Sequence, residues 1–435
     1  MSDLSLNMTL CRDGIGSEMY AFVKQLFPFC RSITGEGVRE TLRHISQHIP
    51  LEIYEVPTGT KAFDWAVPFE WNIKDAYIKD KAGRRIVDFK RCNLHVVGYS
   101  IPVHEWMPLE EIKKHIFTLP EQPDLVPYRT SYYSREWGFC ISHKQLASLT
   151  DQEYEVCIDS SLKEGSLTYG ECVLKGAQAE EILLSAHVCH PSLANDNLSG
   201  IALNTFLAKE LANTNHKYTY RFIFAPGTIG SIVWLSSNEG ILDKIKHGLV
   251  ISCVGDKGGP TYKCSRQGNA LIDKAVRHVL NHSGMDAVIK EFSPYGYDER
   301  QYCSPGFNLP VGLIERSQYG EFPEYHTSGD NLDLVKAEYL LESYGLVKRI
   351  LNVLENNDTY MNTNPKCEPQ LGKRGLYKAI GGDNDAAAKQ MAMLWILNQS
   401  DGTMSLLDIA DRANLSFEII SETALILRQA GLLRS

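Results

Sequence analysis

The chain has 435 residues, 43% of them hydrophobic and 22% charged, with a formal net charge of -9. This length predicts two or three domains, and the balance of apolar and charged residues excludes a disordered chain. The acidic charge argues against a nucleic-acid-binding surface over the whole molecule, and no apolar run approaches the roughly 18 residues of a membrane helix, so neither nucleic acid nor membrane is an expected partner.

The first segment, MSDLSLNMTLCRDGIG, carries neither the basic nor the apolar stretch of a secretion signal. Met19, Phe22, Val23, Leu26 and Phe27 then stand at helical spacing, the glycines of RSITGEGV interrupt the pattern, and a second helix is predicted from about Val38 to Ile49. LEIYEVP (51–57) alternates like a strand. Between about Thr58 and Gly170 the texture changes to short aromatic and β-branched runs, AYIKDKAGRRIVDF, NLHVVGYS, WGFCIS and YEVCIDS, which predict a mostly β insertion.

From about Glu180 strands and helices alternate. EILLSAH (181–187), YRFIFAP (220–226) and HGLVISCVGD (247–256) are continuous apolar strands, while GIALNTFLAKELANT, GSIVWLSSN and LIDKAVRHVLNHSG are helical. Strands without alternation between helices predict an α/β fold, a mainly parallel central sheet flanked by helices, whose ligands sit beyond the carboxyl ends of the strands. The tail from about Gly381 reads as three short helices ending in GLLRS, a winged-helix pattern. Over residues 371–435 seven basic residues meet seven acidic ones. The candidate recognition helix also carries Glu418 and Glu422, which face phosphates badly, so a structural or protein-contact role is preferred to DNA binding. The expected division is 1–57 plus 171–370, an inserted β-rich domain at 58–170, and a winged-helix-like domain at 371–435, through which a homo-oligomer or protein partner could assemble.

Polar clusters fall at two predicted strand ends and in one later polar loop. HVCHPSLANDNLSG (187–200) supplies His187, His190 and Asp196, CVGD supplies Asp256, and PEYHTSGDNLDLV (323–335) supplies His326 with Asp330 near enough in sequence to orient its imidazole. Imidazoles and a carboxylate brought together in one α/β domain are the donor set of a zinc site. A core thiol is the preferred reading of Cys189. The eleven cysteines contain no CxxC pair, which predicts reduced thiols and a cytoplasmic location. No GxSxG elbow or GxxxxGK[ST] loop supports serine hydrolysis or nucleotide chemistry.

HVCHPSLANDNLSG and EYHTSGDN resemble the first and last metal segments of the co-catalytic zinc aminopeptidase superfamily, and SPYGYDERQYCSPGFNLPVGLIE (293–315) resembles the substrate-side loop between them. With FPFCRSITGEGVRETL, NLHVVGYS and CEPQLGKRGLY, nearly the whole chain resembles a bacterial aminopeptidase-like family with an inserted β domain and a C-terminal winged helix. The resemblance implies His187 and Asp256 as ligands of one metal, Asp196 as bridge, and His326 on the other metal. His190 is left open between an extra ligand and a donor that fixes the loop. The superfamily carries a Glu-Glu pair where this chain has PGTIGSIVWL (226–235), so Gly227 stands where a functional carboxylate belongs. One firmly held zinc with a second weak or absent is therefore expected, with water attack slowed by roughly 10²- to 10⁴-fold unless another carboxylate serves. Glu299, Glu321 and Glu324 are the candidates. Arg300 and Asp298 are read either as substrate-side groups, where an Arg can clamp a carboxylate, or as a surface salt bridge. Arg31 either approaches the site or caps the following helix. The function implied is zinc-dependent hydrolysis of a peptide N-terminus or related small amide. The alternative is a metal-binding, hydrolytically weak protein that recognises a peptide or an amino-sugar-like ligand.

Overall fold

The computed structural model describes residues 14–376 and 386–435. Cys11, Lys378, Asp383 and Asp385 lie outside the described residues. The described chain forms two compact units, residues 14–268 with 288–344, and residues 269–287 with 345–376 and 386–435.

The first unit is built on an eight-stranded sheet. Its strands are β1 (Glu52–Pro57), β6 (Ser166–Leu174), β7 (Glu181–His187), β8 (Thr219–Ala225), β9 (Ile245–Ile251), β10 (Thr261–Lys263), β11 (Val288–Lys290) and β12 (Val311–Glu315), in the order β1-β6-β8-β7-β9-β12-β10-β11. The sheet is mixed. Strands β8, β7, β9 and β12 form a parallel centre, and antiparallel pairings join β6 to β8, β1 to β6 and β10 to β12. Every residue of β7 and β8 is buried, which is why these strands lack alternation.

Helix α1 (Ile15–Leu26) buries Met19, Phe22, Val23 and Leu26, and α2 (Glu36–Ser46) buries Val38, Leu42 and Ile45 at helical spacing. Helix α3 (Gly200–Leu211) follows β7, and α4 (Ile229–Ser237) follows β8. Between β1 and β6 the chain makes a separate antiparallel sheet from β2 (Glu70–Lys79), β3 (Arg85–Asp88), β4 (Val103–Pro108) and β5 (Glu153–Lys163), ordered β3-β2-β5-β4. Its two ends meet where Pro57 pairs with Ser166 and the Thr58 amide donates to the Gly165 carbonyl at 2.9 Å. NLHVVGYS forms no named strand; it contains a short helical turn at Asn93–His95.

The second unit holds α5 (Leu271–Asn281), α6 (Ala386–Gln399), α7 (Leu406–Ala413) and α8 (Phe417–Gln429) with a sheet of β14 (Asp401–Ser405), β13 (Thr359–Asn362) and β15 (Leu433–Arg434) in that order. Local chemistry starts and stops these helices. Ser405 and Asp408 form a reciprocal cap at the start of α7, Asn414 ends it in the left-handed region at φ 51, and the Ser416 hydroxyl caps α8. Glu418 of α8 is engaged by Arg349 at 2.9 Å. Among the described residues no helix is long and apolar enough to cross a membrane, and none of the ten described cysteines forms a disulfide.

Candidate metal centre

Strand β7 ends at His187, and the chain then makes a tight loop and a wide irregular turn, Ala194–Ser199, before α3 begins. Gly200 is required where that turn closes. A Cβ there would lie 2.4 Å from both the Ile251 carbonyl and Asn197 Oδ1, closer than any side chain tolerates. Asn197 spans the same gap by donating to the Ile251 carbonyl at 3.0 Å and accepting from the Gly200 amide at 3.1 Å.

The loop folds its donors together. His187 Nε2 lies 2.8 Å from Asp196 Oδ1 and 3.2 Å from His190 Nδ1, and His190 Nδ1 lies 3.4 Å from the same carboxylate oxygen. His187, His190 and Asp196 thus offer three ligand atoms within 4.8 Å of one another. His326 approaches the other oxygen, with Nε2 3.0 Å from Asp196 Oδ2, and its backbone adopts φ 53, a left-handed conformation that non-glycine residues use mainly at constrained sites. Burial alone would push the Asp196 carboxyl up, but the imidazoles of His190, His187 and His326 outweigh it and hold it well below the usual carboxylate range. Burial depresses His326 despite the opposing pull of Asp196. Three imidazoles around one buried carboxylate are the nitrogen and oxygen donors that zinc takes, and the residues present fit such an ion.

Two expected contributors are placed otherwise. Asp256 does not join the cluster of His187. Its Oδ1 accepts from the Gly258 amide at 2.6 Å and Ser317 Oγ at 2.7 Å, and its Oδ2 accepts from Asn195 Nδ2 at 2.6 Å. Its lone pairs are committed to holding the loop beside Asp196, a task for the neighbours of ligands rather than a ligand. Asp330 serves the backbone, not the His326 ring: its two oxygens accept from the Asn195 and Asp196 amides at 2.6 and 2.9 Å.

The candidate bases also separate. Glu299 is buried and pairs with Lys263, Glu321 pairs with Lys290 at 3.2 Å, and Glu324 is a half-buried loop residue outside the group of three clustered donors. None of the three is the carboxylate beside Gly227. That group is Asp298: a Cβ added to Gly227 would stand 3.1 Å from His187 Cβ and 3.5 Å from Asp298 Oδ1. Arg300 is half-buried next to it, and its charge acts on Asp298. Arg31 does approach the site, donating from Nε to the His190 carbonyl at 2.8 Å and from Nη1 to the Leu26 carbonyl at 2.7 Å. Cys189 is a buried thiol 3.7 Å from the Gly227 carbonyl, and burial pushes it up to about 12.

Sequence reasoning missed the tyrosines. Tyr297 stacks on His187 with ring centroids 4.6 Å apart, and its hydroxyl donates to Asp196 Oδ1 at 3.1 Å. Tyr325 stacks on His326 at 4.0 Å. Tyr128 meets both His190 and His326 edge-on, at 5.2 and 5.1 Å. It comes from the region between β1 and β6, held by its amide's 2.7 Å bond to the His326 carbonyl. Glu315, which the sequence offers with the other acids of 315–324 as an acidic pocket for a substrate amine, is buried at the end of β12. A cavity of about 670 Å³ lies nearby. It is lined by Phe27, Trp71, Phe89 and Asn93 with Ser192 and Ser328, and none of the clustered donors lines it.

Residues 20–357 match the model of a family described as a domain of unknown function, DUF4910, and residues 358–435 match a winged helix-turn-helix model. The chain belongs to the DUF4910 family. A relative in Clostridium acetobutylicum, named "Putative polysaccharide biosynthesis protein with aminopeptidase-like domain", is 54% identical over 419 residues, 96% of each chain. A crystal structure of a "putative peptidase" from the same organism aligns with TM-score 0.92 at 52% identity over 96% of both chains. A zinc aminopeptidase from Bacillus subtilis shares the fold at 14% identity, TM-score 0.55, over 77% of this chain and 94% of that one. This DUF4910 protein therefore has an aminopeptidase-like fold with a C-terminal winged helix.

Proposed function

We propose that the protein is a zinc-dependent hydrolase of the aminopeptidase type, cleaving an N-terminal residue from a peptide or opening a related small amide. The observation that carries this reading is the convergence of His187, His190 and His326 on the single carboxylate of Asp196. His187, His190 and Asp196 would hold the ion, with His326 on the far oxygen of Asp196, a donor set for one firmly held zinc with a second weak or absent. Zinc supplies Lewis-acid polarisation of a carbonyl and of water. The chain's own residues do the rest. Tyr297 and Tyr325 fix the rings of His187 and His326, Arg31 holds the His190 carbonyl, and Asp256 and Asp330 hold the loop that presents Asp196. Arg300 is retained on the substrate side.

A second reading, a metal-binding protein with little hydrolysis, is favoured by Gly227, where the superfamily resemblance calls for a carboxylate. The polysaccharide-biosynthesis name of the C. acetobutylicum relative supports an amino-sugar-like ligand in that case. Metal stoichiometry on the purified protein, followed by a panel of aminoacyl-anilides, separates the two. Zinc with turnover keeps the first, zinc without turnover selects the second, and no metal removes both. The division at 58–170 and 371–435 belongs to the same proposal, as does a cytoplasmic location, supported by ten described cysteines that form no disulfide. The tail is assigned to protein contact rather than nucleic acid, supported by the Arg349–Glu418 pair on the helix that would read DNA.

A further inference from the structure

We propose that Asp298 is the catalytic carboxylate of this protein, supplying from the 293–315 loop the group that position 227 lacks. The inference rests on the hydrolase reading above and names the residue that accepts the proton.

Glycine at 227 is not demanded by the backbone. Its φ lies outside the left-handed region that other residues avoid, and the nearest atoms to an added Cβ are His187 Cβ at 3.1 Å and Asp298 Oδ1 at 3.5 Å, with His187 Cγ at 3.6 Å. A side chain here would start beside both His187 and the Asp298 carboxylate. A second carboxylate in that position would meet like charge without water to screen it, so residue 298 and a Glu at 227 are alternatives for one place.

Asp298 is built into that place. It is fully buried, its Oδ1 accepts from Ser231 Oγ at 2.9 Å, and its Oδ2 is buried without a hydrogen-bond partner among the described residues. Ser231 lies four residues after Gly227, in the first turn of α4. The turn that carries no carboxylate of its own thus orients the one that comes from elsewhere. The preceding residue, Tyr297, already contacts His187 and Asp196. Buried polar atoms left unpaired are costly, and a reacting water is a partner that Oδ2 can take. Of the other acids in or near the loop, Glu299 pairs with Lys263, Glu321 pairs with Lys290, and Glu315 accepts from the Tyr319 amide at 3.3 Å. Burial also pushes the Asp298 carboxyl up to about 7, with the Ser231 bond opposing, Glu299 adding to the rise and Arg300 lowering it, a base strength suited to proton transfer near neutrality.

In the step assigned to it, Oδ2 takes a proton from water as the water oxygen bonds to the amide carbon. It returns that proton to the amine nitrogen as the carbon–nitrogen bond breaks. Water and amide become acid and amine, and Asp298 ends as it began.

The test uses the zinc-loaded full-length chain, with Asp298→Asn, Ser231→Ala and the double variant Gly227→Glu/Asp298→Asn. Asp298→Asn is expected to hold zinc within about 3-fold of wild type, to lose roughly 10²- to 10⁴-fold in kcat on the best aminoacyl-anilide, and to lose the acid limb of its pH profile. The double variant is expected to recover at least about 10-fold of that loss, and Ser231→Ala to shift the limb. Calorimetry with leucine hydroxamate in buffers of different ionisation enthalpy reads the same group without turnover. Wild type retains the proton that the hydroxamate loses, and Asp298→Asn releases about one more proton to buffer. Equal proton counts, or equal kcat and pH profile for wild type and Asp298→Asn, overturn the proposal, as does a hydroxamate that fails to bind the zinc form. A wild type that turns over no anilide yet shows the difference in proton count overturns the hydrolase reading and keeps Asp298 as the proton acceptor of the site.

Discussion

Strands β7 and β8 run parallel and side by side, with His187 opposite Ala225, yet their carboxyl ends carry different loads. The end of β7 delivers three donors within ten residues, and its loop is tied down by Asp256, Asp330, Arg31 and Asn197. The end of β8 delivers no donor at all: Pro226, Gly227 and Thr228 pass the site with backbone only, and the nearest carboxylate is brought by a residue 71 positions later (298 − 227 = 71). On the proposed reading, such a site separates holding the ion from moving the proton. The first task depends on one continuous segment, and the second on the meeting of two distant ones.

The sharpest way to break this contrast is at its centre. Asp196→Ala removes the carboxylate that His187, His190 and His326 share, and is expected to lower zinc affinity more than 100-fold, measured by competition with a chelating dye. The supports of β7 should then grade below the ligands. His190→Ala is expected to cost about 100-fold in zinc affinity, and Asp256→Ala only about 10-fold, because Asp256 positions the loop through Asn195, Gly258 and Ser317 without reaching the ion. If Asp256→Ala matched Asp196→Ala, the placing of Asp256 as a support would be wrong.

At the other strand end the expected effects are smaller. Gly227→Glu alone should change kcat less than about 10-fold, since Asp298 already stands where the new carboxylate would go; a larger gain would show that β8 limits the reaction. Stability reports on the same group. Burial raises the folded-state value of Asp298 to about 7 from an ordinary 3.8, so the folded protein holds the proton more tightly than the unfolded chain. The stability this confers is complete below the unfolded value and is lost as pH rises through about 7. The metal-free Asp298→Asn variant, uncharged throughout, should therefore gain on wild type between pH 4 and pH 8, by roughly 2–5 °C in Tm at pH 8.

Local pattern made much of this molecule legible. EILLSAH, GIALNTFLAKEL and YRFIFA read directly as β7, α3 and β8, because an unbroken apolar run between Gly and polar turns leaves a strand buried on both faces as the natural outcome. The winged-helix tail was legible as three short helical runs with tight turns ending in GLLRS, and the structure adds the caps at Ser405 with Asp408 and at Ser416 that start two of them. The antiparallel edges were harder to see, since β6 and β10 acquire their direction only from partners far along the chain.

By itself the sequence determined that His187, His190 and Asp196 follow a strand, that His326 lies in a polar loop, that all four carry zinc-type donors, and that Gly227 brings none. Only the tertiary structure decided which of them meet. It turned Asp256 toward Asn195 and Ser317, drew Tyr128 onto His190 and His326 from the region before β6, and set Asp298 against Gly227. Periodicity and caps act over a few residues and are written locally. Contacts among groups tens to hundreds of residues apart depend on strand order and on the path of each loop, and those are settled only when the whole sheet packs.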